Sequence, residues 1–140
     1  MSIQAVLLPL FVEVALTFVL LFWTGSARVA AVRRGDVHPR DVALREPSWP
    51  KQETQIANAY QNQLELPVLF YVLTILAIVT RHADLVFVVL AWVFVVLRLV
   101  HVYIHLTSNH LRRRFAAFAA GTVVLALMWG IFIARTLLGV

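Results

Sequence analysis

Four apolar stretches constrain this chain more than any other feature. They run from Ile3 to Trp23, Leu64 to Val79, Leu85 to Leu106 and Phe115 to Leu138. A helix needs about 20 predominantly apolar residues to cross a hydrocarbon core of about 30 Å, and it must satisfy its own backbone groups on the way. The second stretch is the shortest, but its polar lead-in from Thr54 to Gln63 is compatible with helix. With 61% apolar and 14% charged residues in a chain of 140, little is left over for a soluble domain. The sequence therefore predicts a single all-α integral membrane domain over 1–140, with spans at roughly 3–27, 56–80, 84–107 and 114–138. Short connections make sequence neighbours antiparallel neighbours, which gives an up-down-up-down four-helix bundle.

The polar segment 28–55 carries Pro39, Pro47 and Pro50 and reads as the one long loop. Lys and Arg gather at one end of the bundle. Arg28, Arg33, Arg34, Arg40, Arg45 and Lys51 lie in this loop and Arg112, Arg113 and Arg114 in the third, against Arg81 alone in the second. Positive charge near membrane ends stays in the cytoplasm, so loops 1 and 3 are expected there and both termini on the opposite side. This topology accounts for the net charge of +5, and nucleic-acid binding is not expected. No basic segment precedes Ile3, which argues against a cleaved signal peptide. Trp49 and Trp23 suit an interfacial belt, and His38 and His110 read as solvent-exposed loop residues.

Cysteine is absent, which excludes disulfides, thiolate nucleophiles and Cys-ligated metal. Any thiol chemistry must come from a bound small molecule. His101 and His105 have the i, i+4 spacing of a metal-binding helix, but the donors nearby are too few, and no metal site is expected. The other three spans hold no histidine, which also excludes a haem held between facing helices.

Polar groups cluster at the arginine-rich end. Gln55, Asn58, Asn62 and Glu65 fall at i, i+3, i+7 and i+10, one stripe entering the membrane on the second helix. On the third, Arg98, His101, His105 and Arg112 share a face at the same end. Charge at membrane depth is costly unless paired inside the bundle, so Glu65 and Arg98 are the expected ion pair. Such a pair is either a register lock or part of a pocket; the wider stripe points to a pocket for a polar, charged ligand. Pro67 cannot donate to the Gln63 carbonyl, so a kink is expected beside the stripe. Glu13, in the middle of the first span, needs a partner on another helix or subunit. It is read either as an interhelical hydrogen bond or as the carboxylate of a small proton-coupled multidrug transporter. The triplet Arg112–Arg114 is a lipid-phosphate anchor from which one arginine can reach the pocket mouth.

The stretch Ala59-Tyr60-Gln61-Asn62-Gln63-Leu64-Glu65, with Pro67 and Phe70 following, resembles the second-helix signature of the MAPEG family, the membrane-associated proteins of eicosanoid and glutathione metabolism. Arg98-Leu99-Val100-His101-Val102-Tyr103-Ile104-His105 is similar to the family's third-helix pattern, and Ser26-Ala27-Arg28 to the end of its first helix. The resemblance covers essentially the whole chain. It implies a homotrimer with a glutathione pocket between adjacent subunits and lipophilic substrates arriving through the bilayer. Arg28, Asn58, Asn62, Glu65, Arg98, His101 and His105 would hold or support glutathione, and Arg112 or Arg114 would stabilise its thiolate.

The chain departs from the family at two of these positions. Asn58 stands where an arginine usually holds a glutathione carboxylate, and His105 stands where a tyrosine is usual. The expected activity is a glutathione-dependent transferase or peroxidase acting on lipophilic electrophiles or lipid hydroperoxides. The alternative is a trimer of the same fold that binds lipid or another anionic cofactor.

Overall fold

The computed structural model describes residues 1–45 and 47–139. They form α1 (Ile3–Arg34), a single 3-10 turn (Pro39–Asp41), α2 (Lys51–Asn62), α3 (Leu66–Val79), α4 (Leu85–Leu106) and α5 (Leu111–Leu138). Taken together, α2 and α3 make one span, and with α1, α4 and α5 they give four segments long and apolar enough to cross a membrane. The described residues contain no strand. The fold is a four-helix membrane bundle, connected up, down, up and down.

Two boundaries correct the sequence reading. The expected loop 28–55 is shorter, because α1 continues to Arg34 and α2 starts at Lys51. Residues 28–34 hold no proline or glycine, so nothing stops the helix before Gly35. There the backbone turns left-handed at φ 77°, a conformation that glycine adopts without steric cost. The N–H of Gly35 bonds to the Val32 carbonyl at 3.1 Å and that of Asp36 to Ala31 at 3.0 Å, closing the helix end. Arg34 then bridges Asp36 at 2.8 Å and the buried Glu53 at 3.0 Å, tying the end of α1 to the start of α2.

The second correction concerns the kink at Pro67, which is a full break. Gln63, Leu64 and Glu65 leave the helix in a tight turn, with N–H bonds to Tyr60, Gln61 and Asn62 at 2.9, 3.0 and 3.3 Å. Proline has no N–H and crowds the preceding residues, so it fits as the second residue of a new helix and not inside a continuous one. Inside a bilayer such a break survives only where other groups engage the freed backbone. Here the Asn62 carbonyl accepts from both Glu65 N and Arg98 Nη2, the latter at 3.4 Å.

The main core lies toward the other end. Phe70, Leu73 and Ala77 of α3 meet Phe87, Val88, Ala91, Phe94 and Val95 of α4, with Val6 of α1 and Leu125 and Met128 of α5 packed around them. The Phe70 and Phe94 rings approach to 4.9 Å between centroids. At that end Asp84 caps α4 by accepting from Phe87 N at 2.9 Å, and it pairs with Arg135 of α5 at 2.6 Å. Burial pushes the Asp84 carboxyl up. The Phe87 N–H and the Arg135 guanidinium outweigh that effect and hold it below the ordinary aspartate value.

Candidate functional site

Arg98, His101 and His105 occupy one face of α4, as their i, i+3, i+7 spacing requires, and that face points into the bundle. Arg98 is only 1% exposed. A guanidinium so deep needs acceptors on every side. Its Nη2 donates to Asn62 Oδ1 and to Gln63 Oε1, both at 2.6 Å. Its Nε lies 3.8 Å from Glu13 Oε1, and Glu13 is fully buried.

The expected pairing of Arg98 with Glu65 is therefore wrong, and Glu13 is the counter-ion. The break in the second span explains the exchange. Glu65 sits before α3 with φ −97° and ψ −106°, outside helical geometry, which swings its side chain out. It is exposed and accepts from Asn62 Nδ2 at 3.1 Å. The same turn brings Gln63, which lies off the predicted stripe, fully inside. Gln63 was missed by the helical periodicity; its place just before the Leu66-Pro67 pair was the available signal.

Of the remaining predicted residues, Asn62, His101 and Arg114 line one cleft and Arg28 and Asn58 another with no lining residue in common, while His105 and Arg112 line neither. The first, about 220 Å³, is lined by Asn62, His101 and Arg114, with Leu111, Phe115 and Phe118 as its apolar wall. Arg114 is held by a bond from Nη1 to Asn109 Oδ1 at 2.6 Å. His101 packs between the His105 and Phe118 rings, with centroids at 5.7 and 5.9 Å. The His105 backbone carbonyl accepts from Gln55 Nε2 at 2.5 Å, which fastens the start of α2 to the end of α4. Arg112 does not join this group. It is exposed and lines neither of the two.

The second cleft, about 430 Å³, lies between α1, α2 and the loop, and it contains Arg28 and Asn58. The Arg28 guanidinium lies over the Trp49 ring at 4.9 Å from its centroid, a cation–π contact that fixes the side chain. Arg45, Tyr60 and Gln61 line the same space. From the sequence Trp49 reads as an interfacial-belt residue and Arg45 as one of the loop's topology charges, and neither was assigned to a site, because a loop residue's reach toward a helix has no periodicity to betray it. The two loop histidines also have local tasks: His38 Nδ1 accepts from Arg40 N at 3.2 Å and His110 Nδ1 from Arg113 N at 3.5 Å, each capping the helix that follows.

Among the described residues no group of three or more His, Asp or Glu is placed to hold a metal ion. Donors that are cationic or amide, gathered where helices leave the membrane beside an apolar wall, suit an anionic or zwitterionic ligand that meets a lipophilic one. The class thus defined is a multi-pass helical membrane protein with a polar site at one end of its bundle. The model of the MAPEG family matches residues 6–134, and the chain belongs to that family. No curated protein and no solved structure matches it.

Proposed function

We propose that this protein is a glutathione-dependent transferase or peroxidase acting on lipophilic electrophiles or lipid hydroperoxides. The observation that carries the reading is the meeting of Arg114, His101 and Asn62 in one cleft with an apolar wall. Glutathione supplies the thiol that the chain, with no cysteine, lacks. A guanidinium beside that sulfur favours its anion, since an opposite charge within a few ångströms lowers a thiol pKa. Arg114 fills this role, while Asn62 and His101 orient the peptide and the apolar wall receives the lipophilic partner.

The ligand fits the residues in one further respect. Asn58 lacks the charge that the family's arginine brings, but Arg45 lines the same cleft as Arg28 and Asn58. Two guanidiniums remain there for carboxylates, each able to bind in a two-pronged fashion. The homotrimer that the family resemblance implies would put such a ligand between adjacent copies, where Arg28 of one and Arg114 of the next could both reach it. The charge bias of the loops supports placing this end in the cytoplasm.

The test is calorimetric titration of glutathione into the protein in detergent. Saturable binding is expected, weakened about tenfold or more in Arg114→Ala, together with loss of the thiolate absorbance. No binding at millimolar glutathione overturns the reading and favours the same fold acting on lipid or another anionic cofactor, with Asn58 as the observation behind that second reading. The transporter reading rested on four short spans and Glu13; the match to the MAPEG family model speaks for another class, and Glu13 is buried with its carboxylate 3.8 Å from Arg98 Nε.

A further inference from the structure

Glu13 lies outside both clefts, yet a continuous path joins it to one of them. Glu13 Oε1 faces Arg98 Nε at 3.8 Å, Arg98 Nη2 donates to Asn62 Oδ1 at 2.6 Å, and Asn62 Nδ2 donates to Glu65 Oε2 at 3.1 Å. The path crosses α1, α4 and α2, and its link on α2, Asn62, lines the cleft with His101 and Arg114. We propose that Glu13 is a positioning residue. By anchoring Arg98 in the core, it holds the Asn62 side chain with its carbonyl oxygen inward and its NH₂ outward, so that the cleft is offered a donor.

The direction of each bond follows from chemistry. A guanidinium carries donors only, so an amide that faces Arg98 must turn its oxygen to it; a carboxylate accepts only, so the same amide must turn its nitrogen to Glu65. Arg98 thereby decides which way Asn62 points, and the remaining question is what keeps Arg98 in place. A long cationic side chain at membrane depth moves toward water or toward an anion unless a counter-charge holds it. Outward from Arg98, beyond Asn62, lies the exposed Glu65, which would draw it out. Inward, Glu13 is the one carboxylate in ion-pair range of Arg98 among the described residues. Without that charge only neutral oxygens, Asn62 Oδ1 and Gln63 Oε1, hold the guanidinium inward; its bond to Asn62 weakens and the amide can rotate and present either face. Glu13 therefore acts on the cleft without touching a ligand.

This inference rests on the reading of the cleft as a glutathione site for its affinity readout, but not for its second readout. Glutathione affinity is measured by calorimetry in wild type, Glu13→Gln, Asn62→Asp and the double variant, and a thermal unfolding midpoint is recorded for each. In the wild-type background Glu13→Gln is expected to weaken glutathione binding about tenfold, in proportion to losing a hydrogen bond fixed by charge, and Glu13→Asp is expected to restore much of it. In the Asn62→Asp background a carboxylate touches Arg98 directly, so Glu13→Gln should have a much smaller effect on both affinity and midpoint. A Glu13→Gln variant that unfolds earlier yet binds glutathione with unchanged affinity in both backgrounds overturns the proposal, since Glu13 would then be structural only. If wild type does not bind glutathione, the proposed function fails on its own, and the midpoints decide this inference. A smaller effect in the Asn62→Asp background supports the coupling, and an equal effect overturns it. Should Glu13→Gln not fold, Glu13→Asn, also uncharged, carries the same comparison: affinity lowered in the wild-type background and less so beside Asn62→Asp supports the path, and affinity unchanged overturns it.

Discussion

The two ends of the bundle treat their polar groups differently. Where α3 turns into α4, Asp84 accepts from Phe87 N and pairs with Arg135, so both carboxylate oxygens have a partner. Where α2 breaks, the buried atoms Glu13 Oε1 and Oε2, Gln63 Nε2, Arg98 Nε and Nη1, and the Nδ1 of His101 and His105 make no hydrogen bond, although each side chain is nearly or fully enclosed. Buried polar atoms without partners each cost on the order of 1–3 kcal/mol, and a fold keeps them where something other than stability is served. The Asp84 end pairs its charges at the edge of the bundle, and the Arg98 end encloses charge and amides beside a cleft.

The sharpest way to break this contrast is to remove Arg98. Arg98→Ala leaves Glu13 buried without its counter-ion and Asn62 and Gln63 without their donor, and it is expected to cost about 3–5 kcal/mol in unfolding free energy. The double variant Glu13→Leu with Arg98→Met removes both charges and should recover a good part of that loss, since apolar replacements often serve as well as a buried pair. Denaturant unfolding in mild detergent, followed by helicity, measures both. A cost under about 1 kcal/mol for Arg98→Ala, the range of an exposed pair, would mean that the network does not hold the bundle in register.

At the other end the effect is smaller and depends on pH. Asp84→Ala removes a helix cap and an ion pair and is expected to cost about 1 kcal/mol, while Asp84→Asn keeps the cap and should lose only a few tenths. Because the folded-state pKa of Asp84 lies below its unfolded value, its contribution is complete above the unfolded value. It is lost as pH falls through the folded one. Wild type should therefore lose part of its advantage over Asp84→Ala on acidification below the ordinary aspartate range and show none of that change near neutral pH. Unfolding midpoints across an acid series test this, and an unchanged difference at every pH removes Asp84 from the contrast.

Much of this was legible in the sequence, for reasons that also explain what was not. Apolar runs of bilayer length dictate four spans, and the α4 face of Arg98, His101 and His105 follows from helical spacing alone, since α4 is unbroken. The second span obeys no single period. Treated as one helix it puts Asn62 and Glu65 on a shared stripe and makes Glu65 the partner of Arg98; the break before Pro67 resets the phase, sends Glu65 out and brings Gln63 in. Pro67 announced a disturbance without saying how far it would turn the chain. Glu13 announced its need for a partner, but which helix supplied it depended on packing across α1 and α4. Trp49 and Arg45 reach their cleft from a loop, where no repeat links sequence position to direction.

The smallest effect is expected at Arg112, which the sequence placed beside Arg114 as an equal candidate for the thiolate. The two differ by half a helical turn. Arg114 lines the cleft with Asn62 and His101 and is fixed by Asn109, whereas Arg112 is exposed. An exposed arginine with no enclosed partner contributes through screened charge and lipid phosphates, so Arg112→Ala should change stability by no more than about 0.5 kcal/mol and leave glutathione affinity unaltered. Arg114→Ala in the same assay supplies the scale. If Arg112→Ala weakens binding as much as Arg114→Ala does, the arginine serving the cleft comes from an arrangement that a single copy of the chain does not contain. The boundary between the working end and its lipid-facing rim would then have to be redrawn around two copies.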